Sequence, residues 1–279
     1  MHNKRKVLNI SEHLAKQRVR TPIVGMDIYQ LLQKANVSAG LPISVCINGD
    51  RLQAIQQLSL SPCTLLSSEI KLWTEIIGRR AVDNFLFCFP FQALQPFELT
   101  QIMHTLASRF SLSQSAQRVH RVVTSQDEIN PQHIALLKGL GFNHYQVVVK
   151  TGELDNLQHL KSKVQLIRRY TFQGISLLIR KTSCLGNLRA QIIDIQQQIA
   201  PDFISIGHQP KLSDLSSYSC SDTIIFEEES EPLNNSLGLG PEGVSRFCNT
   251  QLQNFCKAEA YTEALQQNQL PLSTVNDNY

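Results

Sequence analysis

The sequence predicts an α/β fold, a partial (β/α)6 barrel of parallel strands. Six short runs dense in β-branched residues alternate with longer amphipathic runs, and each strand–helix unit takes about 30 residues, as a right-handed crossover needs. Several strand runs are apolar on both faces, which is typical of parallel strands covered by helices. Six units are fewer than the eight of a closed TIM barrel, so an open barrel is expected.

Each predicted strand is followed by a predicted helix. The strands cover residues 43–47 (ISVCI), 84–89 (NFLFCF), 119–124 (VHRVVT), 145–150 (YQVVVK), 174–180 (GISLLIR) and 203–207 (FISIG). The helices cover 67–81, 96–110, 131–140 with Gly141 as the stop that follows, 153–170, 188–199 and 241–268. Apolar residues recur at helical spacing in these runs. Pro96 and Pro131 suit first helical positions, and Asn130 suits a helix N-cap.

Four segments divide the chain. Residues 1–41 form a basic N-terminal extension, most simply a solvated tail, and residues 42–208 form the partial barrel. Residues 209–235 form a polar and acidic connection, with one strand expected at 223–226. Residues 236–279 supply a Gly-rich turn and a C-terminal helix that packs on the barrel. The turn sequence GLGPEG favours a tight turn that starts a helix over a phosphate cradle, because Pro241 lacks an N–H and Glu242 is negative.

Composition excludes several classes of protein. The net charge of +3 is too small to indicate nucleic-acid binding. No apolar run reaches the ~20 residues that cross a bilayer, and the first residues lack a secretory pattern. None of the seven cysteines forms a C-x-x-C pair. A disulfide framework is therefore not expected, and a reducing, cytoplasmic location is predicted.

Three phrases in one order resemble a known family. They are LTQIMHTLASRFSL with INPQHIALLKGLGFNHYQVVVK (99–150), APDFISIG (200–207) and SLGLGPEGVSRF (236–247). Together they are similar to the radical-SAM domain of oxygen-independent coproporphyrinogen III oxidases, over residues 42–273. The resemblance implies a radical-SAM-like, TIM-barrel-related fold. It also implies that the separate C-terminal domain of that family is missing here.

The chemistry of that family needs a C-x-x-x-C-x-x-C motif after the first strand. Its three thiolates hold a four-iron cluster and leave one iron for S-adenosylmethionine. The resemblance puts these ligand positions at Asp50, Ala54 and Gln57, with Cys46 where the family has a histidine. Other cofactor positions of the family correspond to residues 87–91 in place of a Gly-rich segment, Val123, Lys150, Ser176 and residues 180–182.

The sequence therefore predicts a catalytically inactive, radical-SAM-like protein that serves as a binding or regulatory module. One alternative is an anion- or tetrapyrrole-binding carrier. Another is an S-adenosylmethionine-dependent oxidase of porphyrin biosynthesis with atypical cofactor binding. No catalytic residue, no metal site, no 4Fe-4S cluster and no S-adenosylmethionine are expected. The expected partner is a protein or an anionic small molecule, and neither a membrane nor nucleic acid is expected.

The C-terminal ends of the later strands are cationic. Lys150, Arg180, Lys181 and His208 are the candidate anion-binding residues, because functional groups of parallel barrels gather at that end. An arginine suits bidentate contact with a carboxylate. Ordinary solvated charge is the alternative for the lysines and the arginine. His208 lacks a partner at metal-ligand spacing, which favours a structural histidine over a base or ligand.

Four phenylalanines alternate along the second strand run and share one face. Phe85, Phe87, Phe89 and Phe91 are best explained as core filling. In the alternative, the same face fills the mouth of the barrel where a cofactor lies in the family.

Overall fold

Strands and helices alternate through most of the chain in the computed structural model, which describes residues 21–22, 41–49, 52–88, 94–154, 156–180, 188–207, 235–247 and 250–277. The strands are β1 (Thr21–Pro22), β2 (Ile43–Asn48), β3 (Ala81–Cys88), β4 (Ser111–Leu112), β5 (Val119–Ser125), β6 (His144–Lys150), β7 (Gly174–Arg180), β8 (Phe203–Gly207), β9 (Ser236–Leu239), β10 (Val244–Phe247), β11 (Thr250–Asn254) and β12 (Leu272–Asp277). The helices are α1 (Leu52–Gln57), α2 (Pro62–Ile77), α3 (Pro96–Arg109), α4 (Pro131–Gly139), α5 (Leu157–Arg168), α6 (Leu188–Gln198) and α7 (Ala258–Gln266).

One sheet carries all these strands, and its parallel part has the order β9-β2-β3-β5-β6-β7-β8. The short β4 pairs with β3 beside this path. All six predicted strands lie in the parallel part, so the predicted α/β fold with a parallel sheet is confirmed. Among the described strands the sheet runs from β1 to β8 without closing, which agrees with a partial barrel.

The C-terminal part differs from the prediction. The single helix expected over 241–268 is wrong: β10 and β11 form an antiparallel hairpin there, and α7 begins only at Ala258. The burial pattern explains the difference, because every second residue is buried in each strand: Ser245 and Phe247 in β10, and Thr250, Leu252 and Asn254 in β11. β12 and the short β1 extend this hairpin as further antiparallel strands.

The GLGPEG turn joins β9 to β10 and does not start a helix. A Cβ on Gly238 would collide with the backbone of Val244, so this strand pair requires glycine. Gly240 and Glu242 both have positive φ, at 88° and 62°. Backbone angles of this kind interrupt helices and strands. The Glu242 N–H donates to the Phe255 carbonyl at 3.1 Å and not to a carbonyl within a helix.

Two helices begin at other residues than predicted. α2 begins at Pro62 because the Ser61 hydroxyl accepts the Thr64 N–H at 3.3 Å and proline suits the first helical position. α5 begins only at Leu157, because the Asn156 side chain accepts the His159 N–H at 3.3 Å. A short 3-10 turn precedes it at Thr151–Glu153.

The main hydrophobic core lies between the sheet and the helices. Alternate strand residues such as Val45, Phe85, Val122 and Ile179 join apolar helix residues in one buried cluster. Burying a large aliphatic or aromatic side chain stabilises the fold by about 1.5–3 kcal/mol. The core therefore fixes which face of each strand turns outward to the helices.

A buried carboxylate ties α2 to the C-terminal strands. Glu69 is 0% exposed and accepts hydrogen bonds from the Gly240 N–H at 2.8 Å, Asn254 Nδ2 at 2.6 Å and the Tyr261 hydroxyl at 2.7 Å. Asn254 Nδ2 also donates to the Gly240 carbonyl at 2.8 Å. Burial raises the pKa of Glu69 to about 7, against the opposing effect of these donors. One side chain thus connects a helix, a turn, a strand and α7.

Two predicted features lie outside the described residues. They are the basic residues of the N-terminal extension and the strand expected at 223–226. In the described part of the chain, no helix combines the length and the apolar character that a membrane span requires.

Removing the Glu69 carboxylate will destabilise the protein strongly. In a Glu69→Ala variant the donors of Gly240, Asn254 and Tyr261 lose their acceptor. Each buried donor left unpaired costs about 1–3 kcal/mol, so we expect a loss of about 3 kcal/mol or more in the free energy of unfolding, measured by urea denaturation. Exposed Glu75 on the same helix is the control, and Glu75→Ala should cost about 0.5 kcal/mol or less. Equal losses would contradict the role of Glu69.

Candidate anion-binding site

The parallel strands have an outer face toward the helices and an inner face away from them. Phe85 and Phe87 belong to the core with the helices, whereas Leu86 and Cys88 belong to a separate small cluster with Val123. Successive side chains of a strand point to opposite faces. Leu86, Cys88 and Val123 therefore lie on the inner face.

The phenylalanines of β3 fill the core. The rings of Phe85 and Phe87 lie 5.7 and 6.2 Å from the ring of Phe142, on the outer face. Phe87 therefore does not fill the mouth of the barrel. Phe89 and Phe91 lie outside the described residues.

Two of the predicted rim residues lie side by side. Lys150 ends β6 and Arg180 ends β7, and the two are paired across these strands. Alternation from Ser176 and Leu178 puts Arg180 on the inner face at the C-terminal edge. Arg180 is half-buried and Lys150 is exposed. Lys181 and His208, the other two predicted residues, lie outside the described part of the chain.

A glutamate lies beside Lys150 and partly offsets its positive charge. Glu153 lies 3.9 Å from Lys150 Nζ and accepts the Lys150 backbone N–H at 3.0 Å. An exposed ion pair of this kind is weak, yet it places a negative charge beside the lysine. Of the two described rim cations, Arg180 is half-buried on the inner face, and this position favours it over the exposed Lys150 as the anion-binding residue.

The segment after β2 does not offer the thiolates that the family resemblance implies. Ala54 and Gln57 lie on α1, where Leu52 and Ile55 are fully buried and anchor the helix in the core. A methyl group and an exposed amide cannot replace cysteine sulfur. Asp50 lies outside the described residues. These residues do not fit a four-iron cluster.

The inner face of β5 to β8 carries polar residues that sequence reasoning missed as a group. They are buried, and they alternate with apolar residues of the outer core: Arg121, His144, Gln146, Ser176 and Ser205. Strand pairing brings Arg121 beside His144, and Gln146 beside Ser176. The signal in the sequence was the alternation of polar and apolar residues in HYQV and GISL.

The imidazole of His144 is held as one tautomer. His144 Nδ1 lies 2.9 Å from Asn143 Oδ1, which also accepts the His120 N–H at 2.8 Å. Asn143 Nδ2 donates to the Arg118 carbonyl at 2.8 Å and to Gln173 Oε1 at 2.7 Å. Because the amide oxygen accepts, His144 Nδ1 carries a proton and donates.

Burial lowers the pKa of His144 to about 4, and the nearby charges of Arg121 and His120 lower it further in the same direction. His144 is therefore neutral near pH 7, with its lone pair on Nε2. The inner face thus combines a neutral imidazole, amide and hydroxyl groups with the guanidinium of Arg121. Such a surface suits hydrogen bonding to a polar or anionic ligand.

Comparison with solved structures finds an enzyme whose structure is similar over most of this chain. The coproporphyrinogen III oxidase HemN from Escherichia coli, a radical SAM enzyme, has a TM-score of 0.67 and 13% sequence identity, over 94% of this chain and 77% of that chain. The chain has the fold of a radical SAM enzyme. At this identity the similarity shows the fold alone. No protein-family model matches the sequence, and no curated protein matches it.

Two further structures share less with this chain. HydG, a maturase of FeFe-hydrogenase, has a TM-score of 0.36 and 10% identity, over 66% of this chain and 47% of its own. The YdjI aldolase from Escherichia coli K12 has a TM-score of 0.32 and 11% identity, over 64% of this chain and 58% of its own. Both TM-scores are too low to support an argument about this chain.

The environment of His144 predicts a specific pH dependence. Its pKa is about 4 in the folded state and 6.5 as the ordinary value. The unfolded chain therefore binds a proton that the folded chain excludes between these values, and stability falls as pH drops from 6.5 to 4. We expect the free energy of unfolding to fall more steeply for the wild type than for His144→Gln between pH 7 and 5. Parallel curves in urea denaturation would contradict the assignment.

Proposed function

We propose that the protein is a non-catalytic binding or regulatory protein with the radical-SAM fold, which binds an anionic small molecule on the inner face of its sheet. The proposal depends on the position of Arg180, which lies beside Lys150 at the C-terminal edge of this face. Buried polar residues lie further along the same face, toward the start of the strands. An arginine can bind a carboxylate or phosphate with two parallel hydrogen bonds.

The sequence supports the non-catalytic part of the proposal. A four-iron cluster that activates S-adenosylmethionine needs three closely spaced thiolates. The seven cysteines stand at positions 46, 63, 88, 184, 220, 248 and 256, and no C-x-x-x-C-x-x-C motif occurs anywhere in the chain. A fold can be kept by its core pattern after its site has changed, because function depends on the site and not on the fold.

The inner face also supports binding by its chemistry. Val123 stands where the resemblance implies a carboxylate that binds ribose, and it packs with Leu86 and Cys88. The side of β3 and β5 that faces inward is thus partly apolar, while β6 and β7 present amide, hydroxyl and guanidinium groups. Apolar surface beside a few placed polar groups is the chemistry that small-molecule sites typically present.

Charge reversal at Arg180 tests the proposal. Isothermal titration with inorganic phosphate, sebacate and coproporphyrin should detect binding of at least one of them to the wild type. Arg180→Glu should weaken that binding by about tenfold or more, since it replaces the anion's partner with a like charge. Lys150→Glu should have a smaller effect, because Glu153 already lies beside the lysine.

The matched control is Arg109, an exposed arginine in the last turn of α3, in the helical layer. Arg109→Glu makes the same change of net charge and should leave binding unchanged. The proposal fails if none of the three anions binds, or if the variants at positions 180 and 109 behave alike. Tight binding of coproporphyrin alone would identify the tetrapyrrole carrier among the anion-binding alternatives.

A further inference from the structure

Two polar atoms at the centre of the inner face are buried without hydrogen-bond partners among the described residues. They are Gln146 Oε1 and Ser176 Oγ, and both side chains are 0% exposed. The two residues are paired across β6 and β7, so their Cα atoms lie about 4.8 Å apart. Buried polar groups are nearly always satisfied, so an exception needs an explanation, and a bound group that supplies the missing partner is one.

The orientation of the Gln146 amide follows from its neighbour. Ser205 donates its hydroxyl to the Leu177 carbonyl at 3.5 Å, so its oxygen is left to accept from Gln146 Nε2 at 3.4 Å. The other end of the amide, the carbonyl Oε1, is then the acceptor that lacks a partner. Beside it, the Ser176 hydroxyl can donate. The inner face therefore presents an acceptor and a donor next to each other.

We propose that this pair recognises a primary amide or a lactam edge of the bound anion. Such an edge places an N–H and a C=O side by side: the N–H donates to Gln146 Oε1, and the C=O accepts from the Ser176 hydroxyl. A carboxylate cannot take this place, because it has no proton to donate to Gln146 Oε1. The inference rests on the proposed function, since Arg180 binds the anionic end.

The two recognition points fix the shape of the ligand. Lys150 and Arg180 lie four residues beyond Gln146 and Ser176 along the same strands. At about 3.3 Å per residue, the anionic end lies about 13 Å from the amide end. The ligand class is therefore an elongated molecule with a carboxylate or phosphate at one end and an amide or lactam edge at the other.

Three probes test this ligand class. Sebacate monoamide is an extended chain with a carboxylate at one end and a primary amide at the other. Sebacate monomethyl ester has the same length but lacks the N–H donor, and glutarate monoamide is too short to reach both points. By isothermal titration we expect the long amide to bind about tenfold or more tightly than either control, because a buried acceptor left unpaired disfavours the ester.

Two substitutions locate this preference. Gln146→Leu should abolish the preference for amide over ester, while Arg180→Glu should weaken both long probes alike. Equal binding of amide and ester with continued dependence on Arg180 would overturn the amide inference and leave the proposed function standing. Binding of phosphate but of neither long probe would also overturn the amide inference and leave the proposed function standing. If no anion binds the wild type, the amide inference and the proposed function both fail.

A stability measurement separates ligand recognition from a structural role. Ser176→Ala removes a hydroxyl without a partner among the described residues, so Tm should stay unchanged or rise while amide binding is lost. Ser205→Ala is the matched control, because the Ser205 hydroxyl is hydrogen-bonded on both sides, and its Tm should fall. A fall of Tm in Ser176→Ala as large as in Ser205→Ala would contradict the inference.

Discussion

The side chains of each parallel strand alternate between the two faces of the sheet, and the apolar face packs against the helices. Residues such as Val147 and Leu177 turn outward and join the core, so Gln146 and Ser176 must turn inward. A shift of one residue in register would place the polar set against the helices and turn the apolar set to the inner face. The polar inner face is therefore a direct consequence of how the core is packed, and it puts Arg180 at the mouth.

The Glu69 carboxylate attaches the C-terminal strands to α2. β9 pairs with β2, and Glu69 on α2 accepts hydrogen bonds from the turn after β9, the end of β11 and α7. Glu69 gives each of them one acceptor. Burial of a carboxylate is unfavourable by itself, and the three donors of the described chain offset that cost. The raised pKa of Glu69 shows that burial still outweighs them.

Much of the fold could be predicted from the sequence, because the core pattern of parallel strands is local. β7 and β8 have the bounds that the apolar runs predict, 174–180 and 203–207. The C-terminal strands β9 to β12 could not be predicted in this way, since they are short and rich in polar residues. The buried members of β11 include Thr250 and Asn254. Their burial depends on tertiary partners such as Glu69, which no local pattern shows.

The candidate site could be predicted only in part. The sequence predicts Lys150 and Arg180 at the ends of two strands, and the structure pairs them across β6 and β7. Their role in binding an anion stays a prediction. The buried pair Gln146 and Ser176 was missed, since within a strand a single polar residue has the same pattern whether it is solvated or enclosed. The proposed role of Gln146 and Ser176 depends on their burial and on two polar atoms that lack partners among the described residues, and both are properties of the packed molecule.

We propose that this chain, which has the fold of a radical SAM enzyme, holds no iron–sulfur cluster and binds an anion on the inner face of its sheet. Anaerobic reconstitution with iron and sulfide, followed by iron analysis and absorbance spectroscopy, tests it most directly. The account predicts no stoichiometric iron and no cluster absorbance, because the segment after β2 lacks the three thiolates. One four-iron cluster per chain, with a spectrum that changes on addition of S-adenosylmethionine, would contradict it.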